Sequence, residues 1–147
     1  MAEPAIRQLT LADADAWAAL RHALWPHHPA AELGAELPDA VEAGLVAFGA
    51  FDGLELVGFA EADERSYGDG CDTAPVAWLE GIYVAHAYRR TGLARRLLDA
   101  VERWARESGY HELGSDAELD NLISRLSHAR WGFEETNRSV MFRKVLG

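Results

Sequence analysis

The stretch that most limits what this chain can fold into is the apolar run Val76 to Val84, which leads within a few residues into Arg89-Arg90-Thr91-Gly92-Leu93-Ala94. An apolar run of this kind reads as a strand from the centre of a sheet, where both faces are covered. Beyond the basic turn, Leu93, Leu97, Val101 and Trp104 recur at helical spacing, with Ala94, Leu98 and Ala105 widening the stripe. The spacing predicts a helix over Thr91 to Ser108, with Gly109 placed to cap its end. A strand feeding a basic, glycine-containing turn that opens a helix suits a bound phosphate, because unpaired first-turn N–H groups and the helix dipole point at the anion. Gly92 permits close backbone approach, and Arg90, Arg95 or Arg96 would reach the phosphates. One residue contradicts its surroundings. Glu80 sits inside the apolar strand beside Gly81, and an acid there is costly unless it faces a cleft.

The rest of the chain supplies elements around that centre. Ile6 to Leu9 reads as a first strand, and Thr10 with Asp13 opens a helix over Leu11 to Leu24, closed by Pro26. Pro29 begins a second helix over Ala30 to Ala43. Strands over Leu45 to Phe51 and Glu55 to Glu64 flank Asp52-Gly53, a hairpin signal. Ser66 to Thr73 is a loop, and a short strand follows around Glu112 to Ser115. A helix over Asp120 to Arg130 and a last strand or pair of strands over Glu135 to Leu146 complete the order β-α-α-β-β-β-α-β-α-β. That order is α/β with a mixed, mostly antiparallel sheet, in one continuous domain over residues 1–147.

Composition excludes several classes. With 49% hydrophobic and 26% charged residues the chain can bury a core, and charges interrupt every apolar run before it could span a bilayer. Its 14 basic and 24 acidic residues leave a net charge of −10, which repels nucleic acid and anionic lipid and attracts cations. A lone Cys71 forms no internal disulfide, so the expected setting is the cytoplasm. There is no dinucleotide-binding G-x-G-x-x-G and no Walker A loop. His111-Glu112 begins like a zinc-protease motif but has Ser115 where the second histidine must stand, so no metal is expected.

Read as Arg-x-x-Gly-x-Ala after Ile82-Tyr83-Val84, the basic turn resembles the acetyl-CoA loop of the GCN5-related N-acetyltransferase (GNAT) superfamily, with Asn121 and Gly132-Phe133 at that family's separations. Finer features resemble aminoglycoside 6′-N-acetyltransferases of type I. These are Leu24-Trp25-Pro26, Gly70-Cys71-Asp72 before Pro75-Val76, Leu79 to Val84, Ala117 after Ser115-Asp116, and Gly132-Phe133-Glu134-Glu135-Thr136. The resemblance implies a sheet splayed at its central strands, with pantetheine in the gap and a bulge suited to Gly81.

Carried over by motif, acetyl-CoA would meet Tyr83, Val84, Arg89, Arg90, Thr91, Gly92, Leu93, Ala94, Arg95, Asn121 and His128, and a backbone N–H near Ile82 would polarise the thioester. The acceptor would be the 6′-amine of an aminoglycoside, a polycation needing carboxylate partners. Glu80 and Asp116 are the best placed, with Asp69, Asp72, Glu134 and Glu135 at the rim and Trp25 and Tyr67 against the sugar rings. Glu80 is a candidate both for taking the amine proton and for a binding role alone, whereas Asp116 reads mainly as an ammonium partner. His128 stands where many family members place a thiolate-protonating tyrosine. The competing readings are an acetyltransferase for another polyamine or amino sugar and a non-catalytic acetyl-CoA-binding module. By analogy with relatives, Val140 to Leu146 would add to a partner's sheet in a homodimer.

Overall fold

In the computed structural model, which describes residues 3–147, five strands form one sheet in sequence order. They are β1 (Ala5–Gln8), β2 (Val46–Asp52), β3 (Glu55–Arg65), β4 (Val76–Val84) and β5 (Leu113–Gly114). All neighbours are antiparallel except β4 and β5, which run parallel. The hairpin β2–β3 turns at Gly53 with φ +62°, a conformation glycine adopts without penalty.

Five helices pack around the sheet: α1 (Ala14–Leu24), α2 (Ala30–Ala35), α3 (Leu37–Glu42), α4 (Leu93–Glu107) and α5 (Leu122–Arg130). A 3₁₀ turn over Leu11–Asp13 carries the Thr10/Asp13 capping box ahead of α1. The apolar stripe of α4 drives the main core, where Leu93, Leu97, Leu98 and Val101 meet Val57, Ala60, Ala62 and Leu79 of the sheet. On the opposite face Trp17, Leu37 and Phe59 form a second cluster.

Two expectations need correction. The helix expected over Ala30 to Ala43 is two short helices meeting at Glu36, with Pro38 at the start of the second, where its missing N–H costs nothing. The strands expected over Glu135 to Leu146 do not form. The apolar runs Val140-Met141-Phe142 and Val145-Leu146 are there, but a strand needs a partner edge, and this segment lies open with Met141 and Phe142 about nine-tenths exposed.

For the site, the decisive feature is how β4 is paired. The register matches Glu61 with Gly81 and Ala62 with Leu79, so Glu80 is the extra residue of a β-bulge. On its other side β4 meets β5 only at Ala77↔Leu113 and Trp78↔Gly114. From Leu79 to Val84 it runs on without that neighbour, which is the splay expected of the central strands.

Candidate active site

At the bulge, two β3 residues each send a carboxylate–guanidinium pair into the same face of the sheet. Glu61 is 1% exposed; its Oε1 accepts from Arg21 Nη2 at 2.9 Å, and its Oε2 from Arg21 Nε at 3.1 Å and Trp17 Nε1 at 2.9 Å. Arg21 also donates to the Leu33 carbonyl at 3.1 Å, tying α1 and α2 to the sheet. Four residues on, Arg65 grips Glu80 with Nε to Oε1 at 3.0 Å and Nη2 to Oε2 at 2.9 Å. The guanidinium carbon lies 4.2 Å from the centroid of the Trp78 ring. The hydrogen bond to Glu80, reinforced by the charges of Glu80, Asp116 and Asp63, raises the pKa of Arg65. Glu80 and Asp116 therefore share one electrostatic neighbourhood.

Trp25 closes one side of this neighbourhood. Its ring lies so near Gly81 that a Cβ there would stand 2.8 Å from Trp25 Cζ2 and 3.0 Å from Leu24 Cδ2. Glycine beside the bulge is thus needed for close packing. The loop after β3 closes another side, carrying Tyr67, 69% exposed, and Asp69 and Asp72. Glu112 holds that loop by accepting from the amides of Asp72 at 2.9 Å and Thr73 at 2.6 Å and from Thr73 Oγ1 at 2.5 Å. These bonds, those from Thr73 foremost, pull the Glu112 carboxyl below its usual range. A side chain on Gly70 would collide with Thr136, so the segment after Phe133 passes beside this loop. Glu134 and Glu135 are exposed there, and Glu135 pairs with Arg138.

At the other end of β4 the chain makes an anion cradle. Among the described residues, no acceptor meets the backbone N–H groups of Arg90 through Arg95; the first amide to find a carbonyl is that of Arg96, on Gly92 at 3.1 Å. Arg90 has φ +63° and Gly92 has φ +83°, turning successive amides outward; the first is a strained state for a residue with a side chain. Leu93 and Ala94 begin α4, and Thr91 Oγ1 donates to the Tyr88 carbonyl at 2.6 Å, fixing the turn. These donors fit a pyrophosphate. Two of the arginines are otherwise committed. Arg89 donates to the Val84 carbonyl at 2.9 Å and lies over Tyr83. Arg95 is taken up by the Trp131 carbonyl, Asp99 and Glu102, which leaves its backbone amide for an anion.

Between cradle and bulge lie Ile82, Tyr83 and Val84, the part of β4 beyond β5. Asn121 caps α5, its Oδ1 accepting from Ser124 N at 3.1 Å. On α5 the His128 Nδ1 lies 2.7 Å from the Ser124 carbonyl, which makes it the protonated nitrogen. In the neutral ring Nε2 then accepts from Ser115 Oγ at 2.8 Å. His128 thus meets the splay through Ser115.

The sequence matches the model of the acetyltransferase (GNAT) family over residues 11–133. The chain belongs to that family. This acetyltransferase is 46% identical over 97% of its length to an aminoglycoside N(6′)-acetyltransferase type 1 of Stenotrophomonas maltophilia, covering 94% of that protein. It is 40% identical over 95% of its length to one of Salmonella typhimurium strain LT2, covering 97% of that protein. Among solved structures it superposes with a TM-score of 0.91, at 38% identity and over 99% of this chain and 100% of the other, on AAC(6′)-Iy in complex with the bisubstrate analogue CoA-S-monomethyl-acetylneamine.

Four residues around the bulge and the splay are not singled out from the sequence. Arg65 and Arg21 look like ordinary surface basics, Glu61 like the polar position of a strand, and Ser115 like the end of a short strand. Glu61 alternates with Phe59 and Asp63 on one face of β3, opposite Gly81, so the one usable clue was an acid falling on the inward face of a strand.

Proposed function

We infer that this acetyltransferase moves the acetyl group of acetyl-CoA to the 6′-amine of aminoglycoside antibiotics, conferring resistance to them. The observation that carries this is the 46% identity, end to end, with an aminoglycoside N(6′)-acetyltransferase. The geometry supports it. A cradle of free amides for a pyrophosphate and a carboxylate cluster for ammonium groups lie at opposite ends of the length of β4 that has no β5 neighbour.

Acetyl-CoA supplies an activated thioester, and the residues do the rest. The amides of Arg90 to Arg95 hold the pyrophosphate, while Tyr83, Val84 and Asn121 align the pantetheine arm. An N–H near Ile82 stabilises charge on the thioester oxygen during direct attack by the amine in a ternary complex. Glu80 and Asp116 bind the ammonium groups of the acceptor, and the reacting amine gives up a proton to Glu80, directly or through water, before it attacks. Trp25 and Tyr67 flank the sugar rings, and Asp72, Glu134 and Glu135 form the acidic rim. His128 reaches the splay through Ser115 and can supply the departing thiolate when its ring carries both protons, Nε2–H passing to Ser115 Oγ as the Ser115 hydroxyl proton passes to sulfur. Residues 1–147 act as one domain, in the cytoplasm, where acetyl-CoA is available.

A homodimer completes the assembly. Val140, Met141, Phe142, Val145 and Leu146 are each at least 73% exposed, and α5 presents Leu122, Ile123 and Leu126. Two apolar surfaces from one end of the chain suit a second copy. Sedimentation at micromolar protein reads the mass directly, and a monomer there overturns the assembly.

The test of the activity is acetyl-CoA-dependent thiol release with neomycin and paromomycin, which carry an amine and a hydroxyl at the 6′ carbon. Turnover with neomycin alone is expected. Equal turnover with both moves the acetylated amine elsewhere. Silence with both, despite acetyl-CoA binding, refutes the aminoglycoside reading.

A further inference from the structure

The β-bulge leaves Glu80 without a cross-strand partner, between Glu61↔Gly81 and Ala62↔Leu79. Its backbone is therefore less firmly fixed than that of its neighbours, and its carboxylate points wherever its contacts hold it. Only Arg65 donates to it among the described residues, and Arg65 uses both oxygens, at 3.0 and 2.9 Å. Arg65 is itself well located. Its Cα pairs with Val76, and the side chain runs along the strand over the Trp78 ring, which is 4% exposed, to reach the bulge. Two parallel bonds define the plane of a carboxylate as one cannot, and the stack removes much of the guanidinium's freedom.

We propose that Arg65 is a positioning residue of the acceptor site, a fork that fixes the plane and direction of the Glu80 carboxylate so that it meets the substrate ammonium as a preset charge. This rests on the acceptor role of Glu80 given above. The groups facing Arg65 are Asp63 on its own strand, Glu80 and Trp78 on β4, and Asp116 beyond β5. With three carboxylates around one guanidinium, the neighbourhood keeps an excess of negative charge and still draws a cation. Both oxygens retain unused acceptor capacity on the side away from Arg65.

The experiment compares wild type, R65Q, R65K, E80Q and R65Q/E80Q, each first checked for an unchanged melting profile. With neomycin as acceptor, R65Q is expected to lower kcat/KM about fivefold, mostly through KM, the scale of a partly exposed ion pair. R65K, a point charge without the fork, recovers only part of the loss. In the E80Q background the Arg65 change costs less than about twofold, because the residue acts through Glu80. The Glu80 carboxyl carbon resonance, observed at neutral pH without any acceptor and assigned with E80Q, is expected to move in R65Q as the two guanidinium bonds are lost. An unchanged kcat/KM in R65Q, the same loss in the E80Q background, or an unmoved Glu80 resonance overturns the proposal. Wild-type turnover of neomycin tests the acceptor reading separately, and the NMR comparison stands whether or not that reading holds.

Discussion

Glu61 and Glu80 are both acids of the central strands and both are gripped by an arginine, yet their surroundings give them different work. Glu61 has its oxygens filled by Arg21 and Trp17 and is sealed from water. Glu80 keeps 28% of its side chain open. The first is an architectural charge and the second an accessible one. Glu61→Gln leaves the Arg21 guanidinium buried with half its compensation gone, and removing one partner of a buried pair costs about 3 kcal/mol. The urea midpoint is expected to fall accordingly, with an unchanged slope. Because Arg21 also lies over the Trp25 ring, which rests on Gly81, the same change should raise KM for the aminoglycoside. A loss below about 1 kcal/mol would mean that water or a rearranged Arg21 solvates the site, and the network would not be what holds α1 to the sheet.

At the scale of elements, what could be read from the sequence was what depends on neighbours along the chain. Asp52-Gly53, the Thr10/Asp13 box and the periodicity of α4 each carry a local physical cause, and each element formed where that cause placed it. The break at Glu36 and the unformed strands after Glu135 depend instead on what the segment packs against. The pairs Arg65–Glu80 and Arg21–Glu61 join residues 15 and 40 positions apart, so no spacing rule reveals them. The loop between β3 and β4 is a case where a distant residue sets an element's order. Glu112 fixes it through the amides of Asp72 and Thr73, and the folded-state pKa of Glu112 is lowered by those bonds. For a carboxyl with a lowered pKa the contribution is complete above the ordinary glutamate value and is lost as pH falls through the folded one. Protection of the Asp72 and Thr73 amides from hydrogen exchange is therefore expected to hold at neutral pH and to fade below the usual glutamate range, after correction for intrinsic exchange. In Glu112→Gln it should be weak throughout. Protection in that variant equal to wild type at neutral pH would show that the contact between Gly70 and Thr136, and not Glu112, orders the loop.

Across the whole molecule the two co-substrates have opposite charge, and the protein distributes its own charge to receive both. The net charge of −10 favours approach of a polycation from any direction. A polyanion must instead find the start of α4, about which Arg89, Arg90, Arg95 and Arg96 stand in the sequence. Even there Arg95 is neutralised by Asp99 and Glu102, so the attraction for CoA is short-ranged and rests largely on aligned backbone amides. Salt should therefore affect the two encounters unequally, because it screens a long-range field and leaves contacts in the cradle nearly untouched. Raising ionic strength from about 0.02 to about 0.3 M is expected to lower kcat/KM for neomycin about tenfold. The kcat/KM for acetyl-CoA should change by less than about threefold, and a rise is consistent with relief of its repulsion by the acidic surface. Charge-reversing an exposed acid outside the cleft, such as Glu3 before β1, should flatten the first slope without altering kcat. If both substrates instead lose efficiency in parallel, the acidic surface serves solubility alone, and the preference for a polycation is set entirely by the few carboxylates around Glu80.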